Sequence, residues 1–199
     1  ASRLVFAAVA VAFGALLSWY YVANSLRTLP ANALAIRLQQ VQMARFAQDY
    51  ARAPVAVNDL GAVAWNNPRP VLDLWGLASS EARRLRLSDP EPGWAEPLAV
   101  RHGVVLAMIY DEWLGDAVGP DWVKLGHLTF DLTDQRIVGA LAGVPLTLGG
   151  TAVDFFATDP EAAPRLRASL EDWRTTLPEG AIFVWEAAGA SPGAPRGMP

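Results

Sequence analysis

The first hydrophobic pattern along the chain is an apolar run, Leu4–Ala23, that contains no charged residue. At about 1.5 Å of rise per residue, a helix over this run is about 30 Å long, which is the thickness of a bilayer's hydrocarbon core. Trp19, Tyr20 and Tyr21 lie near its C-terminal end, where amphipathic rings favour the membrane interface. The pattern predicts a transmembrane anchor over residues 1–27. A buried core helix and a signal peptide are the alternatives, but the small-residue cleavage site of a signal peptide is poorly matched.

The next pattern is that of an amphipathic helix. We expect the anchor to end at Thr28-Leu29-Pro30, because proline disrupts a helix interior. Beyond it, apolar residues recur at spacings of seven, three and four, which is the period of one helix face. These residues are Ile36, Met43, Phe46 and Tyr50. The spacing predicts an amphipathic helix from Ala33 to Ala51 within a connecting segment over residues 28–53.

From residue 54 onwards, short apolar runs alternate with turn residues and helical stretches. The apolar runs predict strands at 55–57, 70–75, 104–110, 122–130 and 182–185. Helices are expected at 59–65, 80–87 and 159–177, the last with a capping box formed by Thr158 and Glu161. Strands that alternate with helices predict a mixed sheet with helices packed on it, an α/β or α+β domain over residues 54–186.

Two glycine-rich segments complete this outline. Gly149-Gly150 separates apolar arms at 144–148 and 151–157, and glycine adopts the positive φ of tight turns, so the pair predicts a β-hairpin. Residues 187–199 are rich in Gly, Pro and Ala and are expected to form a disordered tail. The serine-hydrolase elbow pattern from Gly189 to Gly193 lies in this tail, without the strand and helix that give the motif meaning.

Composition narrows the function classes. The chain has no cysteine, which excludes disulfides and thiolate metal sites. All 20 acidic residues follow the anchor and outnumber the 16 basic residues of the whole chain, so we expect no nucleic-acid partner. His102 and His127 have no neighbouring acids at ligand spacing, so we expect neither a metal nor a cofactor. Seven of the eight tryptophans lie beyond the anchor, and these are expected to lie mainly in the core rather than in a binding platform.

Five residues are the candidates for a ligand site: Asp59, Asp73, Asp111, Glu112 and Trp113. The two aspartates stand at the ends of the hydrophobic stretches Val55–Asp59 and Val71–Asp73, and the other three residues follow the strand predicted at 104–110. Carboxyl ends of strands commonly carry ligand groups. Each candidate has a plainer interpretation. Asn58 or Asp59 can cap the following helix, and consecutive residues of an extended chain point to opposite faces, which leaves only one of Asp111 and Glu112 for a pocket.

A basic cluster and two acidic triplets are also notable. Arg83, Arg84 and Arg86 could bind a phosphate or an anionic headgroup near the membrane, with a solvated helix face as the alternative. Asp89-Pro90-Glu91 and Asp159-Pro160-Glu161 match the metal-binding motif of sugar-nucleotide transferases in letters only, because each has proline at its centre. We expect a turn and a helix cap at these two triplets.

Several strings in the chain carry a family resemblance. They are Leu38–Phe46, Val55–Trp65, Val71–Leu77, Tyr110–Trp113 and Phe155–Pro160. Together they resemble the C-terminal extracytoplasmic region of bacterial polytopic membrane proteins of the GT-C glycosyltransferase type. The resemblance covers most of residues 4–186, and it places the anchor where that family has its last spanning helix. It implies transfer of a sugar from a lipid-phosphate donor. The family's catalytic acid lies in an early loop without a counterpart here, so no catalytic residue carries over.

These observations favour a single-pass protein of the bacterial inner membrane with a periplasmic domain. We expect a non-catalytic accessory or structural subunit of a larger membrane assembly, for example a respiratory, photosynthetic or transport complex. Its partners would be the bilayer and other membrane subunits, and Ala10, Gly14 and Ser18 offer a small helix face for close approach. The alternative is the C-terminal portion of a glycosyltransferase that uses lipid-linked sugars, in which the four acidic candidates line a pocket.

Overall fold

The anchor predicted from the sequence is a helix. In the computed structural model, which describes residues 2–88, 90–144 and 149–187, helix α1 covers Ser2–Leu38. None of its residues before Ala31 is buried within the chain. By length and composition α1 is able to cross a membrane. The aromatic residues at 19–21 are more than two-thirds exposed, as expected for rings that contact a surrounding medium rather than a protein core.

The break predicted at Pro30 is absent, because α1 continues through this residue. Thr28 donates its hydroxyl to the carbonyl of Asn24 at 3.0 Å, and Asn32 donates its side-chain amide to the carbonyl of Thr28 at 3.1 Å. These bonds support the helix backbone on both sides of a residue that has no amide hydrogen to donate. The prediction failed because it weighed the missing proline hydrogen bond alone.

The helix predicted over 33–51 exists, but it directly continues the anchor. After a kink at Gln39, helix α2 covers Gln40–Arg45, and a π-helical turn covers Phe46–Ala51. Its apolar face is buried at Met43 and Phe46, whereas Ile36 is 37% exposed. The helical run therefore extends from Ser2 to Ala51, a total of 50 residues.

The domain beyond this run is built on a six-stranded mixed sheet, which confirms the predicted fold class. The strands are β1 Val55–Val57, β2 Val71–Asp73, β3 Leu106–Ile109, β4 Val123–Phe130, β5 Ala152–Ala157 and β6 Ala181–Trp185. Their order across the sheet is β2-β1-β3-β5-β4-β6. The first three strands are parallel to one another, and the remaining pairs are antiparallel. Each of the five predicted strand runs overlaps one of these strands.

The remaining helices are short. They are α3 Leu60–Ala64, α4 Ser80–Leu87, α5 Glu96–Arg101, α6 Asp111–Leu114, α7 Gln135–Leu141 and α8 Ala163–Arg174. Helix α4 has the predicted bounds, whereas α5, α6 and α7 were not predicted. Helix α8 follows a 3-10 turn at Pro160–Ala162. Its predicted capping box is wrong, because Asp159 accepts the amide of Glu161 and the Thr158 hydroxyl instead donates to the Val104 carbonyl at 2.7 Å.

The predicted hairpin at Gly149-Gly150 is tested only in part, because residues 145–148 of its first arm lie outside the described residues. Its second arm is β5, which pairs with β3 on one side and β4 on the other. The predicted tail, from residue 188 onwards, with the elbow pattern inside it, also lies outside the described residues.

Two hydrophobic cores cover the two faces of the sheet. The larger one packs α2, the π-helical turn and α8 against the sheet and includes Phe46 and Trp173. The smaller one packs α4 and α5 and includes Trp94 and Trp122. Alternation along β1 illustrates the division, because Val55 and Val57 belong to the larger core and the residue between them to the smaller.

Candidate functional site

The parallel part of the sheet contains a topological switch point. From β1 the chain passes to β2 on one side, and it then returns to β3 on the other side of β1. Ligands of open sheets with parallel strands commonly bind in the crevice outside the carboxyl ends of the strands at such a point. Asn58 and Asp59 follow β1 here, and Tyr110 follows β3. The candidate site is therefore built from the ends of these two strands.

A buried hydrogen-bond network ties the two strand ends to the kink after α1. Tyr110 donates its amide to the Asn58 side-chain oxygen at 3.1 Å and its hydroxyl to the Gln39 side-chain oxygen at 2.7 Å. Gln39 in turn donates to the Gly150 carbonyl at 3.1 Å. We call these four residues the Tyr110 network. One interpretation of the sequence made Asn58 the cap of α3. Asn58 does not cap this helix, because its side-chain oxygen accepts the amide of Tyr110, which follows β3.

Asp59 lies beside the network and is half-buried. Its carboxylate accepts a hydrogen bond from the side chain of Gln40. Burial raises the pKa of Asp59, against the lowering effects of the Gly61 amide and Gln40. The Gly61 amide lies near the carboxylate without forming a capping hydrogen bond of full geometry. Asp59 is thus the N-cap residue of α3 by position, with its main side-chain partner on α2.

The neighbouring tyrosine is held neutral. Burial, followed by the negative charge of Asp59, raises the pKa of Tyr110 to about 12. A hydroxyl that stays protonated remains a hydrogen-bond donor to Gln39 at every physiological pH. The Tyr110 network is therefore suited to holding the sheet and the helix in a fixed geometry, rather than to acid–base chemistry by the tyrosine.

Asp73, at the end of β2, is separate from this group. It is buried, and its two oxygens accept the backbone amides of Gly76 at 3.0 Å and Ala78 at 2.6 Å. These bonds shape the loop that leads to Ser79, the N-cap of α4. Both oxygens of the Asp73 carboxylate are therefore used in hydrogen bonds to the backbone of its own loop. The ligand-site prediction for Asp73 has no support beyond its place in a shallow cavity of about 380 Å³ that also contacts His102.

Asp111, Glu112 and Trp113 lie on α6 and are all exposed. They form a helical turn rather than the extended chain that the sequence pattern suggested, so the strand argument about opposite faces does not apply. Trp113 is 47% exposed. Both acids and the indole therefore emerge from one turn at the carboxyl edge of β3.

Trp113 belongs to a series of side chains in contact that we call the aromatic ladder: Tyr110, Trp113, Trp75 and Arg86. Ring centroids are 5.6 Å apart between the tyrosine and Trp113, and 5.1 Å apart between Trp113 and Trp75. The Arg86 guanidinium carbon lies 3.9 Å from the centre of the Trp75 ring, and its Nε donates to the Trp75 carbonyl at 3.0 Å. These contacts fix an exposed indole in one orientation.

The three arginines of the predicted basic cluster have different surroundings, because only one of them takes part in the aromatic ladder. Arg86 packs on Trp75, whereas Arg83 and Arg84 on the same helix are exposed to solvent. A shared anion site for the three arginines would require their guanidinium groups to converge. The arrangement instead gives one arginine a packing role and leaves two on the helix surface, which agrees with the solvated-face alternative.

Within the described ranges, no group of three or more His, Asp or Glu side chains could hold a metal ion.

Some features of the molecule were not predicted from the sequence. Lys124 on β4 and Asp154 on β5 form a nearly buried ion pair at 2.7 Å, which no motif indicated. Gln39 and Gly149 were also missed as site residues. A Cβ on Gly149 would lie 2.5 Å from the Tyr110 ring, and the two adjacent glycines were the available signal.

Comparison with known proteins yields a family and nothing more specific. No curated protein and no solved structure matches the chain. The model of a family described as "Domain of unknown function (DUF8728)" matches residues 32–156. This stretch begins just beyond Pro30 and contains the whole Tyr110 network, the aromatic ladder and the five candidate ligand residues. Because the match covers more than half of the sequence, the chain belongs to the DUF8728 family.

Proposed function

We propose that this protein is a single-pass membrane protein whose domain serves as a non-catalytic accessory or structural subunit of a larger membrane assembly. The observation that carries the proposal is the unbroken passage of α1 into the domain core. Ala31, Asn32, Ala35 and Leu38 recur at spacings of one, three and three, and all are buried. One face of the helix that leaves the span is therefore part of the folded domain.

The continuous helix from α1 into the core would fix the orientation of the domain, in addition to keeping it near a membrane. A flexible linker would be sufficient to localise an independent enzyme. Here, rotation of the domain about α1 would expose buried residues and break the bonds of Gln39 to Tyr110 and Gly150. The domain is thus held at a fixed height, since Arg27 and Leu38 are about 16 Å apart along a helix. A fixed height and orientation are useful for bracing a partner in the same membrane.

The partner is expected to contact the span itself. Ala10, Gly14 and Ser18 lie on one helix face, and a Cβ on Gly14 would meet nothing within 4 Å. Small residues on one face let the backbone of a second helix approach closely. The placement of the domain on the periplasmic side of a bacterial inner membrane follows from the resemblance to the GT-C proteins and forms part of the proposal.

Purification of the full chain from native membranes in mild detergent tests the partner. We expect a fixed integral membrane partner to co-purify at constant ratio. The variant Gly14→Leu should lose this partner because it fills the small face, whereas Ala12→Leu, on the opposite side of the helix, should retain it. Recovery of the wild-type chain alone as a monodisperse monomer would contradict the subunit hypothesis.

Sidedness has its own test. The chain lacks cysteine, so Ala187→Cys introduces a single thiol at an exposed position after β6. We expect a membrane-impermeant maleimide to label this thiol in intact cells. Labelling only after the cells are opened would place the domain in the cytoplasm and remove the support drawn from the resemblance.

The aromatic ladder favours a second candidate function, which is binding of a saccharide such as the sugar of a lipid-linked donor or its acceptor. A rigid, half-exposed indole offers an apolar face for a pyranose ring, and Asp111 and Glu112 on the same turn offer acceptors for its hydroxyl groups. Titration with methyl glycosides, followed by tryptophan fluorescence, tests this function. Trp113→Ala should abolish a saccharide-dependent change that the control Trp65→Ala, at another exposed indole, retains. An unchanged response in both variants would exclude the ladder as the site.

A further inference from the structure

The two edge strands of the sheet differ in how well they are protected. Strand β2 has only three residues, whereas β6 has five, Ala181–Trp185. Proteins protect sheet edges with very short strands, charged side chains, proline or bulges, because an open edge pairs readily with another strand. Among the described residues β6 pairs with β4 alone, and its five residues include neither a charge nor a proline. The edge at β6 is therefore the less protected one.

One face of β6 is also uncovered. Ile182 and Val184 are 38% and 40% exposed, whereas the alternating residues Ala181 and Phe183 belong to the larger core. The helices α4 and α5 pack in the smaller core, and within the described part of the chain this core includes no residue of β4 or β6. Two neighbouring aliphatic side chains thus lie exposed beside an open edge.

The hydrogen bonds of β6 to β4 define which of its backbone groups face the open edge. The Glu186 amide donates to the Leu125 carbonyl, and the Gly180 carbonyl accepts the amide of Asp131. Hydrogen-bonded residues alternate along an antiparallel strand, so the even-numbered residues direct their backbone groups to β4. The odd-numbered residues direct theirs to the open edge. They are Ala181, Phe183 and Trp185.

We propose that β6 pairs with β6 of a second copy of this chain, in antiparallel orientation and with Phe183 opposite Phe183, so that one sheet continues across a two-fold axis. This register uses all three outward-facing residues of each strand, because Trp185 then lies opposite Ala181 of the second copy. The two Phe183 residues exchange two hydrogen bonds, and each Trp185 amide donates to an Ala181 carbonyl. The Ala181 amide keeps its own acceptor, the Pro178 carbonyl at 3.1 Å. The surface is self-complementary, as a two-fold dimer requires.

The same register matches the exposed side chains. Ile182 lies opposite Val184 of the second copy, as a pair without hydrogen bonds between its members, and side chains approach most closely in such pairs. Directly opposite Cβ atoms are about 4.5 to 5.5 Å apart. The four aliphatic side chains of the two copies therefore form one patch, which covers the surface that each copy alone exposes to solvent.

The C-terminal end of β6 carries excess positive charge on the face of the larger core. The guanidinium carbons of Arg167 and Arg174 lie 5.7 and 6.0 Å from the centre of the Trp185 ring. Arg174 forms an ion pair with Glu171. Arg167 has no acidic partner among the described residues. Two arginines and one acid thus lie beside this end of the strand.

The N-terminal end of β6 carries excess negative charge. Glu179 lies two residues before Ala181, and its side chain is 72% exposed. Arg136 forms ion pairs with both Glu179 and Asp134, so two acids share one arginine. Antiparallel pairing brings this end of one copy beside the arginine-rich end of the other, and it does so twice. Opposite charges at both ends favour this orientation and a second copy as the occupant of the edge.

The absence of cysteine permits a test of the register in membranes. The full chain is produced in two differently tagged forms, Ile182→Cys and Val184→Cys, and membranes that contain both are oxidised. We expect a disulfide-linked dimer that carries both tags, because directly opposite positions approach the Cβ spacing of a disulfide. The control combines Ile182→Cys with Ala187→Cys, three residues beyond the opposite position, and should leave this band at background.

Charge substitutions test whether the aliphatic patch holds the dimer together. Ile182→Lys/Val184→Lys places like charges opposite each other, as does Ile182→Glu/Val184→Glu. By light scattering in mild detergent, we expect a wild-type dimer that dissociates on dilution. Each double variant alone should be monomeric, and an equimolar mixture of the two should recover the dimer. Val100→Lys, at an exposed apolar position of α5, should behave as the wild type. Near-ultraviolet circular dichroism of the tryptophans verifies the fold of every variant.

Several results would overturn the proposal. A wild-type chain that is monomeric at every concentration and forms no cross-link in membranes would do so. So would a dimer that survives the lysine substitutions, because another surface then holds it, or equal cross-linking through Ala187→Cys and Val184→Cys. A complex with a different protein that shields Ile182→Cys from a maleimide would assign the edge to that protein. A homodimer recovered without an integral membrane partner would support the pairing of β6 and contradict the subunit hypothesis, so the two proposals fail separately.

Discussion

The carboxyl ends of β1 and β2 lie side by side, and each has an acidic residue at or just beyond it, yet the two regions differ in how they use it. At the end of β2, Asp73 is buried and accepts two amides of its own loop. After β1, Asn58 and Asp59 bind partners far away in sequence, on β3's end and on α2. An acid satisfied by its own loop defines local structure, whereas polar residues bonded over long range join separate elements. The same sequence pattern can therefore carry either role.

The largest expected loss of stability is that caused by removing Asp73, the acid that is bonded within its own loop. Asp73→Ala leaves the amides of Gly76 and Ala78 without their acceptor in a buried loop. We expect a loss of about 3 kcal/mol in the free energy of unfolding, because each bond to a charged acceptor contributes roughly 1.5 to 3 kcal/mol. Urea unfolding of the full chain in detergent measures it. Asp121→Ala, at an exposed position, is the control, and equal stabilities would show that the loop does not depend on Asp73.

The second effect tests how closely the backbone at Gly149, which precedes β5, approaches the Tyr110 ring. Gly149→Ala places a Cβ 2.5 Å from the Tyr110 ring. We expect a loss of about 2 kcal/mol, which is typical of overpacking. Gly139→Ala on α7 meets open space and should be neutral or slightly stabilising, because alanine favours the helix. The same unfolding assay compares the two, and a neutral Gly149→Ala would contradict the close packing.

A third and smaller effect concerns the long-range network. Tyr110→Phe removes the hydroxyl that donates to Gln39 and leaves the ring contacts in place. The expected loss is about 1 kcal/mol, the net value of a buried hydrogen bond. A double-mutant cycle with Gln39→Ala measures the coupling between the two residues. Strict additivity would mean that the helix and the sheet are not joined through this bond.

The smallest effect involves pH. Burial raises the folded pKa of Asp59 above its ordinary value, so protonation favours the native state, and this stabilisation is lost as the pH rises through the raised pKa. Asp59→Asn removes the titration and keeps an oxygen acceptor for Gln40. The stability of the variant minus that of the wild type should therefore increase as the pH rises above 3.8. We expect below about 1 kcal/mol, since solvent screens a half-exposed charge. A difference that is flat with pH would contradict the burial of the carboxylate.

Elements defined by local apolar patterns were predictable from the sequence. The β-branched run of β1 and the Ser79 cap before α4 determine their own structure within a few residues. The short helices α5 to α7 were missed because their turns are too brief to display a periodic face. The continuation of α1 through Pro30 was not predicted because the missing proline amide favours a helix end, and the side-chain bonds of Thr28 and Asn32 to the helix backbone follow no sequence pattern that indicates them.

The site was predictable only in outline. The acids at strand ends were identified, and Asp59 does lie at the switch point. The residues that organise the site were not identified, because Gln39 is 71 residues from Tyr110 and 111 from Gly150. No spacing rule connects such positions. Their proximity follows from the strand order, in which β3 returns beside β1 and β5 then pairs with β3.

The kinked passage from anchor to domain has a practical consequence for preparing fragments. Leu38, Met43 and Phe46 lie in the larger core, although sequence pattern alone places them in a connecting segment. A truncation that starts at Pro54 would expose the apolar surface these side chains cover and would invite aggregation. A fragment that starts near Thr28 retains the helix face buried at Ala31 and discards the exposed apolar part of α1 that precedes it. Expression trials of the isolated domain should therefore begin upstream of Pro30.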